Sequence, residues 1–136
     1  MLQRIAQMAL LVRDYDEAIS FYCGLLGFEL VEDTRLSPEK RWVLVRPVGP
    51  GPGPCLLLAR AANDEQRSRV GNQTGGRVFL FLHCNDFWKD YHDLKQKGIV
   101  FVREPVTESW GRVAVFSDLY GNLWDLIETP HEDQST

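Results

Sequence analysis

Side chains that could transfer a proton or attack a substrate are few in this sequence. Histidine and cysteine most often act as bases, nucleophiles or metal ligands, and the chain has three of each: His83, His92, His131, Cys23, Cys55 and Cys84. None of them form a Cys-x-x-Cys knuckle or a Cys/His motif, and Gly-x-Ser-x-Gly does not occur. Neither a metal knuckle nor hydrolase chemistry is therefore indicated. The cysteines are odd in number and have apolar neighbours, which predicts reduced, buried thiols.

Side chains that could hold a ligand are more numerous. Flat aromatic surface comes from Trp42, Phe79, Phe81 and Trp110, which could stack on a planar molecule or fill the core. Arg103 opens an Arg-Glu-Pro segment that is predicted to be a loop after the sixth strand. Its guanidinium could bind an anionic substrate or pair with a carboxylate of the protein. The Pro-Gly run at 49–54 lacks Lys, Ser and Thr, so it does not have the pattern of a phosphate-binding loop.

The composition excludes several classes of protein. The chain has 136 residues, of which 44% are hydrophobic and 25% charged, as expected for one soluble globular domain. A net charge of −4 argues against a general nucleic-acid surface, which needs an excess of Lys and Arg. The apolar runs are too short to cross a membrane, and the first residues lack a signal-peptide pattern. We therefore expect a cytoplasmic protein that binds neither nucleic acid nor membrane.

The elements that must position these side chains repeat along the chain. In the first half, Asp14 is predicted to cap a helix that ends at Gly27. Alternating apolar residues around that helix predict strands at 4–12, 28–35, 41–46 and 55–60. In the second half, Asp86 is predicted to cap a helix that ends at Gly98, with strands at 77–84, 99–103, 112–116 and 123–128.

The repeat predicts a single α+β domain over residues 1–129, built from two βαβββ modules. The first module covers about 1–60 and the second about 77–129. Residues 61–76 form a polar linker with about one helical turn, and 118–122 form the turn before the last strand. A polar tail at 130–136 completes the chain.

Two stretches resemble a known superfamily in order and spacing. The first is Ile-Ala-Gln-Met-Ala-Leu-Leu-Val-Arg-Asp at 5–14, continued by Ala-Ile-Ser-Phe-Tyr at 18–22 and Leu-Leu-Gly-Phe at 25–28. The second is Phe-Ser-Asp-Leu-Tyr-Gly-Asn-Leu-Trp-Asp-Leu at 116–126. They are similar to the opening and the final turn and strand of the vicinal oxygen chelate superfamily, which includes glyoxalase I, the extradiol dioxygenases and the bleomycin-resistance proteins. The resemblance implies curved mixed sheets that form half-barrels around a small-molecule cleft, and a homodimer. It specifies the fold better than the function, because one scaffold carries unrelated chemistries.

The resemblance also implies four positions that hold a divalent metal, two in each module. They are Gln7 and Leu57 in the first module and Phe79 and Asp125 in the second. Leucine and phenylalanine cannot coordinate a cation, glutamine is a weak neutral ligand, and aspartate is one methylene shorter than the usual glutamate. The standard metal site is therefore predicted to be incomplete. The alternative is nickel, zinc, manganese or iron held by Gln7 and Asp125.

Strand alternation predicts which side chains of the fifth strand share a face. Phe79, Phe81 and His83 are predicted to face the cleft, with the intervening leucines against the helix. His83 is the one group on that face that titrates near neutral pH, and it is either a hydrogen-bonded residue near the rim or a proton-transfer group. It lies four residues beyond Phe79, roughly 13 Å along a strand, which argues against coordination to the metal.

Two functions of different classes follow from these residues. The first is a metal-free protein that sequesters a planar or amphipathic small molecule, with these candidate binding residues: Gln7, Trp42, Phe79, Phe81, His83, Arg103, Trp110 and Asp125. The alternative is a metal-dependent enzyme that resembles lactoylglutathione lyase or an extradiol dioxygenase. It would use Gln7 and Asp125 as ligands, with Asp125 and His83 as candidate catalytic residues. The incomplete ligand set favours the binding protein.

Overall fold

The computed structural model describes residues 1–51 and 53–129. The chain divides into two compact units, Met1–Gly71 and Asn72–Thr136, and each unit contains one four-stranded sheet. The polar tail predicted at 130–136 lies outside the described residues, as does Pro52 of the Pro-Gly run. Within the described ranges, no helix has both the length and the apolar character needed to cross a membrane.

The sheet of the N-terminal unit has the strand order β1-β4-β3-β2. The elements of this unit are β1 (Gln7–Val12), α1 (Tyr15–Ile19), β2 (Glu29–Arg35), β3 (Arg41–Arg46), β4 (Cys55–Arg60) and α2 (Asp64–Arg69). β1 and β4 pair in parallel, whereas β2, β3 and β4 pair antiparallel. β3 and β4 have the predicted bounds, while β1 begins at Gln7 instead of residue 4. α2 is the helical turn expected in the linker.

The helix of the N-terminal unit begins as an α-helix, as predicted, and continues as a π-helix. The Asp14 carboxylate accepts a hydrogen bond from the Glu17 amide at 2.9 Å, which caps α1. After α1 the chain continues as a π-helix, Ser20–Leu25, which the helical periodicity did not predict. Gly27 follows with φ of +78°, a left-handed conformation that ends the helix. The predicted start and end of this helical segment therefore agree with the structure, but its internal geometry differs.

One face of the N-terminal sheet packs against α1. Leu10, Val43, Val45 and Leu58 on this face are fully buried. Arg41 lies at the edge of the same face, where its guanidinium is 5.1 Å from the Tyr15 ring centroid and 2.9 Å from the Asp16 carboxylate of α1. The alternating residues form the opposite face, which we call the distal face of the N-terminal sheet.

The sheet of the C-terminal unit has the strand order β5-β8-β7-β6. Its elements are β5 (Val78–His83), α3 (Phe87–Gln96), β6 (Val100–Glu108), β7 (Gly111–Ser117) and β8 (Leu123–Glu128). β5 and β8 pair in parallel, whereas β6, β7 and β8 pair antiparallel. Both units thus follow the order β-α-β-β-β with a four-stranded mixed sheet, which confirms the predicted α+β class and its two modules.

An aromatic core joins α3 to the C-terminal sheet. The ring of Tyr91 on α3 lies 4.6 Å from that of Phe101, which lies 5.8 Å from Phe116, which in turn stacks on Trp124 at 5.8 Å. Phe116 and Trp124 are almost completely buried. Because side chains alternate along strands, the neighbours of these residues point to the other side of the sheet. We call that side the distal face of the C-terminal sheet.

The predicted orientation of Phe79 is wrong. A β-bulge between Val78 and Leu80 interrupts the alternation of β5. The Phe79 ring lies edge-on to Trp124, with centroids 6.2 Å apart. Phe79 therefore belongs to the aromatic core and does not share the face of Phe81.

The predicted loop at Arg103, Glu104 and Pro105 is also wrong, because β6 continues through these residues to Glu108. The pairing of β6 with β7 has two irregularities, one between Phe101 and Arg103 and one beyond Arg103. Proline is tolerated here because β6 is an edge strand with one unpaired side. Arg103 is consequently held on the sheet.

The start of α3 is stabilised by a residue that is distant in sequence. Asp86 is the N-cap residue, as predicted, but its side chain makes no capping hydrogen bond. Glu128 of β8 instead accepts a hydrogen bond from the Phe87 amide at 2.7 Å. Its other carboxylate oxygen accepts one from Arg112 of β7 at 2.9 Å. Glu128 thereby connects the helix N-terminus to two strands.

Candidate functional site

One row of side chains crosses the distal face of the C-terminal sheet. In register, Phe81 pairs with Asp125, Asp125 with Val115, and Val115 with Arg103. Paired residues of neighbouring strands point to the same side, so these four side chains lie side by side across all four strands. We call them the charged row. Phe81 is 62% exposed, whereas Val115 is buried.

The charged row contains two groups of opposite charge, Asp125 and Arg103, which form no direct ion pair with each other. Burial raises the pKa of the half-buried Asp125 carboxyl, and the charge of Arg103 offsets part of that rise. Within the described ranges, neither side chain has a hydrogen bond or an ion pair to another residue. The backbones of Arg103 and Asp125 are two strand spacings apart, roughly 10 Å. Both polar ends therefore remain available to a bound molecule.

His83 lies at the margin of this face, and Trp110 lies at one end of the same sheet. His83 is exposed at the end of β5 and pairs with Ile127, two residues beyond Asp125 on β8. Trp110 lies in the turn between β6 and β7 and is 44% exposed. Phe81 and His83 share one face of β5, as predicted, and Arg103 and Asp125 lie on the same face of the sheet.

The candidates of the N-terminal unit lie on the distal face of its own sheet. Gln7 is exposed at the start of β1 and pairs with Cys55. Leu57 lies two residues further along β4 and pairs with Ala9. Trp42 is half-buried on β3 and points to the same side. This face therefore provides an amide and an indole among hydrocarbon side chains.

The residues present do not fit the divalent metal that the superfamily resemblance implies. In each unit one of the two expected ligand positions is a hydrocarbon, Leu57 in the first and Phe79 in the second, and Phe79 packs against Trp124. Only Gln7 and Asp125 offer an oxygen at these positions. Across the described ranges, no three His, Cys, Asp or Glu side chains gather as a cation site would require. A divalent ion usually takes three or more protein ligands.

Val115, the apolar centre of the charged row, was not among the residues predicted from the sequence. A signal for it was present, because residues 115 and 125 are equally distant from Tyr120 at the middle of the predicted turn. In a two-stranded hairpin, residues equally distant from the turn are expected to pair. The pairing of Val115 with Asp125 could therefore have been found from the turn alone.

Known proteins resemble this chain in sequence and in fold. A family model described as the Glyoxalase/Bleomycin resistance protein/Dioxygenase superfamily matches residues 4–126. An uncharacterized protein from Shewanella frigidimarina is 56% identical, over 94% of this chain and 95% of its own length. The crystal structure of UcmS2 is 31% identical with a TM-score of 0.80, and covers 93% of this chain and 98% of that one. TnmS3, an antibiotic binding protein from Streptomyces sp. CB03234, is 26% identical with a TM-score of 0.75, and covers 94% of this chain and 97% of that one.

The family match extends from before β1 into β8, so it includes both four-stranded sheets. The relative from Shewanella matches nearly the whole chain at high identity, and the solved structures match its fold. The resemblance expected from the opening and closing segments is confirmed. This chain belongs to the Glyoxalase/Bleomycin resistance protein/Dioxygenase superfamily.

Proposed function

We propose that this protein binds a planar or amphipathic small molecule, without a metal, on the distal face of the C-terminal sheet. The charged row is the observation that carries this proposal. It combines an exposed aromatic ring, Phe81, with two groups of opposite charge, Asp125 and Arg103, which lie on either side of the buried Val115. Binding sites for small molecules usually consist of apolar surface with a few polar groups that orient the ligand.

The relatives support the same ligand class. TnmS3 is described as an antibiotic binding protein and resembles this chain over 94% of its length. The superfamily description also includes bleomycin resistance proteins. His83, at the margin of the face, and Trp110, at one end of the sheet, are proposed as additional contacts. Gln7 and Trp42 are proposed as contacts for a small molecule on the distal face of the N-terminal sheet.

Titration of the isotope-labelled protein with bleomycin and with 8-anilinonaphthalene-1-sulfonate, followed by NMR, tests the proposal. We expect the amide resonances of β5 and β8 around Phe81 and Asp125 to shift with at least one of the two compounds. Phe81→Ser should abolish these shifts because it removes the exposed ring. Trp88→Ser is the matched control, since Trp88 is also an exposed aromatic residue but lies on α3. Shifts that persist in Phe81→Ser, or their absence in the wild type, would contradict the proposal.

The metal-dependent alternative makes a different prediction. A lyase or dioxygenase of this superfamily type would hold a divalent ion through Gln7 and Asp125. Because Leu57 and Phe79 offer no donor atoms, we expect no stoichiometric metal in protein purified without a histidine tag. Mass spectrometry of the native protein and of Asp125→Ala measures the metal content. Near-stoichiometric nickel, zinc, manganese or iron that is lost in the variant would overturn the metal-free proposal.

We further propose a cytoplasmic location and a homodimer. The location is supported by Cys23, Cys55 and Cys84, which are free thiols, as expected in a reducing compartment. Fractionation of cells that express the untagged chain tests the location, and recovery from the membrane or secreted fraction would contradict it.

A further inference from the structure

We infer that the ligand of the charged row is dipolar, with an anionic group for Arg103 and a hydrogen-bond donor for Asp125 on opposite sides of a flat apolar body. The inference rests on the proposed function, which assigns the ligand to this face. It adds the chemistry that distinguishes this ligand from other planar molecules.

The spacing of the two charges supports a ligand with two different ends. Arg103 on β6 and Asp125 on β8 flank Val115, with backbones roughly 10 Å apart. A body of one or two fused rings that lies across β7 would place a polar substituent near each of these two side chains. A long arginine side chain can adjust to the exact length of such a molecule.

The cost of covering Asp125 explains why one polar group would not be enough. The carboxylate is already half-buried between Phe81 and Val115. A ligand that stacks on the exposed Phe81 ring removes more water from the Asp125 carboxylate, which is unfavourable unless the ligand donates a hydrogen bond to it. An anionic ligand without a donor would satisfy Arg103 but leave Asp125 desolvated.

Charged residues in two other places of the described chain are paired with each other. On the opposite side of the same sheet, Glu128 binds both Arg112 and the Phe87 amide. In the N-terminal unit, Arg41 binds Asp33 at 2.7 Å. Arg103 and Asp125 lie in the same row, and among the described residues neither side chain makes a hydrogen bond or an ion pair. The guanidinium of Arg103 and the carboxylate of Asp125 can therefore both bind a ligand.

Three related probes separate the contributions of the two groups. 5-Aminonaphthalene-1-sulfonate carries both the donor and the anion, naphthalene-1-sulfonate carries only the anion, and 1-naphthylamine carries only the donor. We expect the wild type to bind the first probe about tenfold more tightly than either of the others, the difference typical of one charge-assisted hydrogen bond. Dissociation constants are measured by NMR titration, which also reports where each probe binds.

Two variants assign the preference to the two residues. Arg103→Met should remove the preference for the sulfonate group and keep the preference for the amine. Asp125→Val should do the reverse. Arg77→Met is the matched control, because Arg77 is an exposed arginine immediately before β5 and lies outside the charged row. It should leave the affinities for all three probes unchanged.

The outcomes distinguish this inference from the proposed function. If all three probes shift the resonances around Phe81 with equal affinity in the wild type and both variants, the ligand need not be dipolar, and only this inference fails. If none of the probes shifts these resonances in the wild type, the face does not bind planar molecules, and both fail.

Discussion

Asp125 places a carboxylate beside apolar side chains, and burial raises its pKa despite the charge of Arg103. A raised pKa in the folded state means that folding favours the protonated form, so the ionised form costs stability. We predict that Asp125→Val raises the free energy of unfolding at pH 7 by about 0.5–1 kcal/mol, a range reduced for partial exposure. This gain should shrink as the pH falls through the folded-state pKa toward the unfolded value of about 3.9. Urea unfolding at neutral and acidic pH measures both effects.

Asp33 is the matched control, because its surroundings lower the pKa of its carboxyl group, whereas those of Asp125 raise it. Arg41 donates two hydrogen bonds to it, at 2.7 and 3.1 Å, and these lower the pKa of Asp33. Its ionised form therefore stabilises the fold above the unfolded-state pKa. Asp33→Asn should reduce stability at neutral pH, and the loss should disappear as the pH falls through the folded-state pKa. The same pH response in both variants would contradict the assignment for Asp125.

Asp118 holds the turn that leads into β8 and is 5% exposed. One carboxylate oxygen accepts hydrogen bonds from the amides of Tyr120, Gly121 and Asn122, and the other accepts them from the side chains of Asn122 and Trp124. In Asp118→Asn, an amide NH₂ would replace one carboxylate oxygen, and it cannot accept the hydrogen bonds that this oxygen accepts now. We predict a loss of about 2–3 kcal/mol in the free energy of unfolding, measured by urea titration. A neutral effect would show that the turn does not depend on this carboxylate.

At the scale of elements, Gly111 allows β7 to approach β8. It has φ of +155°, and a Cβ atom at this position would overlap the backbone carbonyl oxygen of Glu128. We predict that Gly111→Ala separates the strands there and lowers the free energy of unfolding by about 2–3 kcal/mol. Gly24→Ala is the control, because a Cβ at Gly24 has no heavy atom within 4 Å. Chemical denaturation of both variants tests the prediction, and equal effects would exclude the close approach as the cause.

The sequence predicted elements best where their pattern is strong and local. β3, β4 and β8 combine buried apolar residues with Gly or Pro close to at least one end, and their predicted bounds are correct. β6 was predicted too short because Pro105 resembles a strand end and most of β6 is exposed, which leaves little alternation. The capping of α3 by Glu128 was not predictable, because the two are brought together only by the fold.

At the scale of the whole molecule, the candidate site could be predicted where it depends on one strand alone. Alternation correctly placed Phe81 and His83 together, but it failed for Phe79 because a bulge reverses the alternation. The relation between Arg103 and Asp125 depends on three paired strands and on the length of β6. A single sequence does not show directly which residues of neighbouring strands pair. The charged row could therefore be identified only from the structure.

The distal face of the C-terminal sheet also bears on the expected homodimer. Phe81 and Val100 are each 62% exposed and Val106 is 47% exposed. By register, Val100 pairs with Ser117 and Val106 with Val113, so all three side chains point to the distal face. Apolar patches of this kind commonly mark contacts with a ligand or another protein. We predict that sedimentation equilibrium gives about twice the chain mass of 15.6 kDa.

Val106→Asp should convert this dimer to a monomer, because it places a charge on the apolar part of the face. It should leave the fold intact, since Val106 is on the solvent-exposed side of an edge strand, and circular dichroism verifies this. Val48→Asp is the control, because Val48 is 75% exposed but belongs to the N-terminal unit. A monomeric wild type would contradict the dimer, and dissociation by Val48→Asp but not by Val106→Asp would assign the contact to the other unit.

If the dimer uses the distal face, 5-aminonaphthalene-1-sulfonate should shift the dissociation constant of the dimer, because the ligand and the second protomer would contact the same surface.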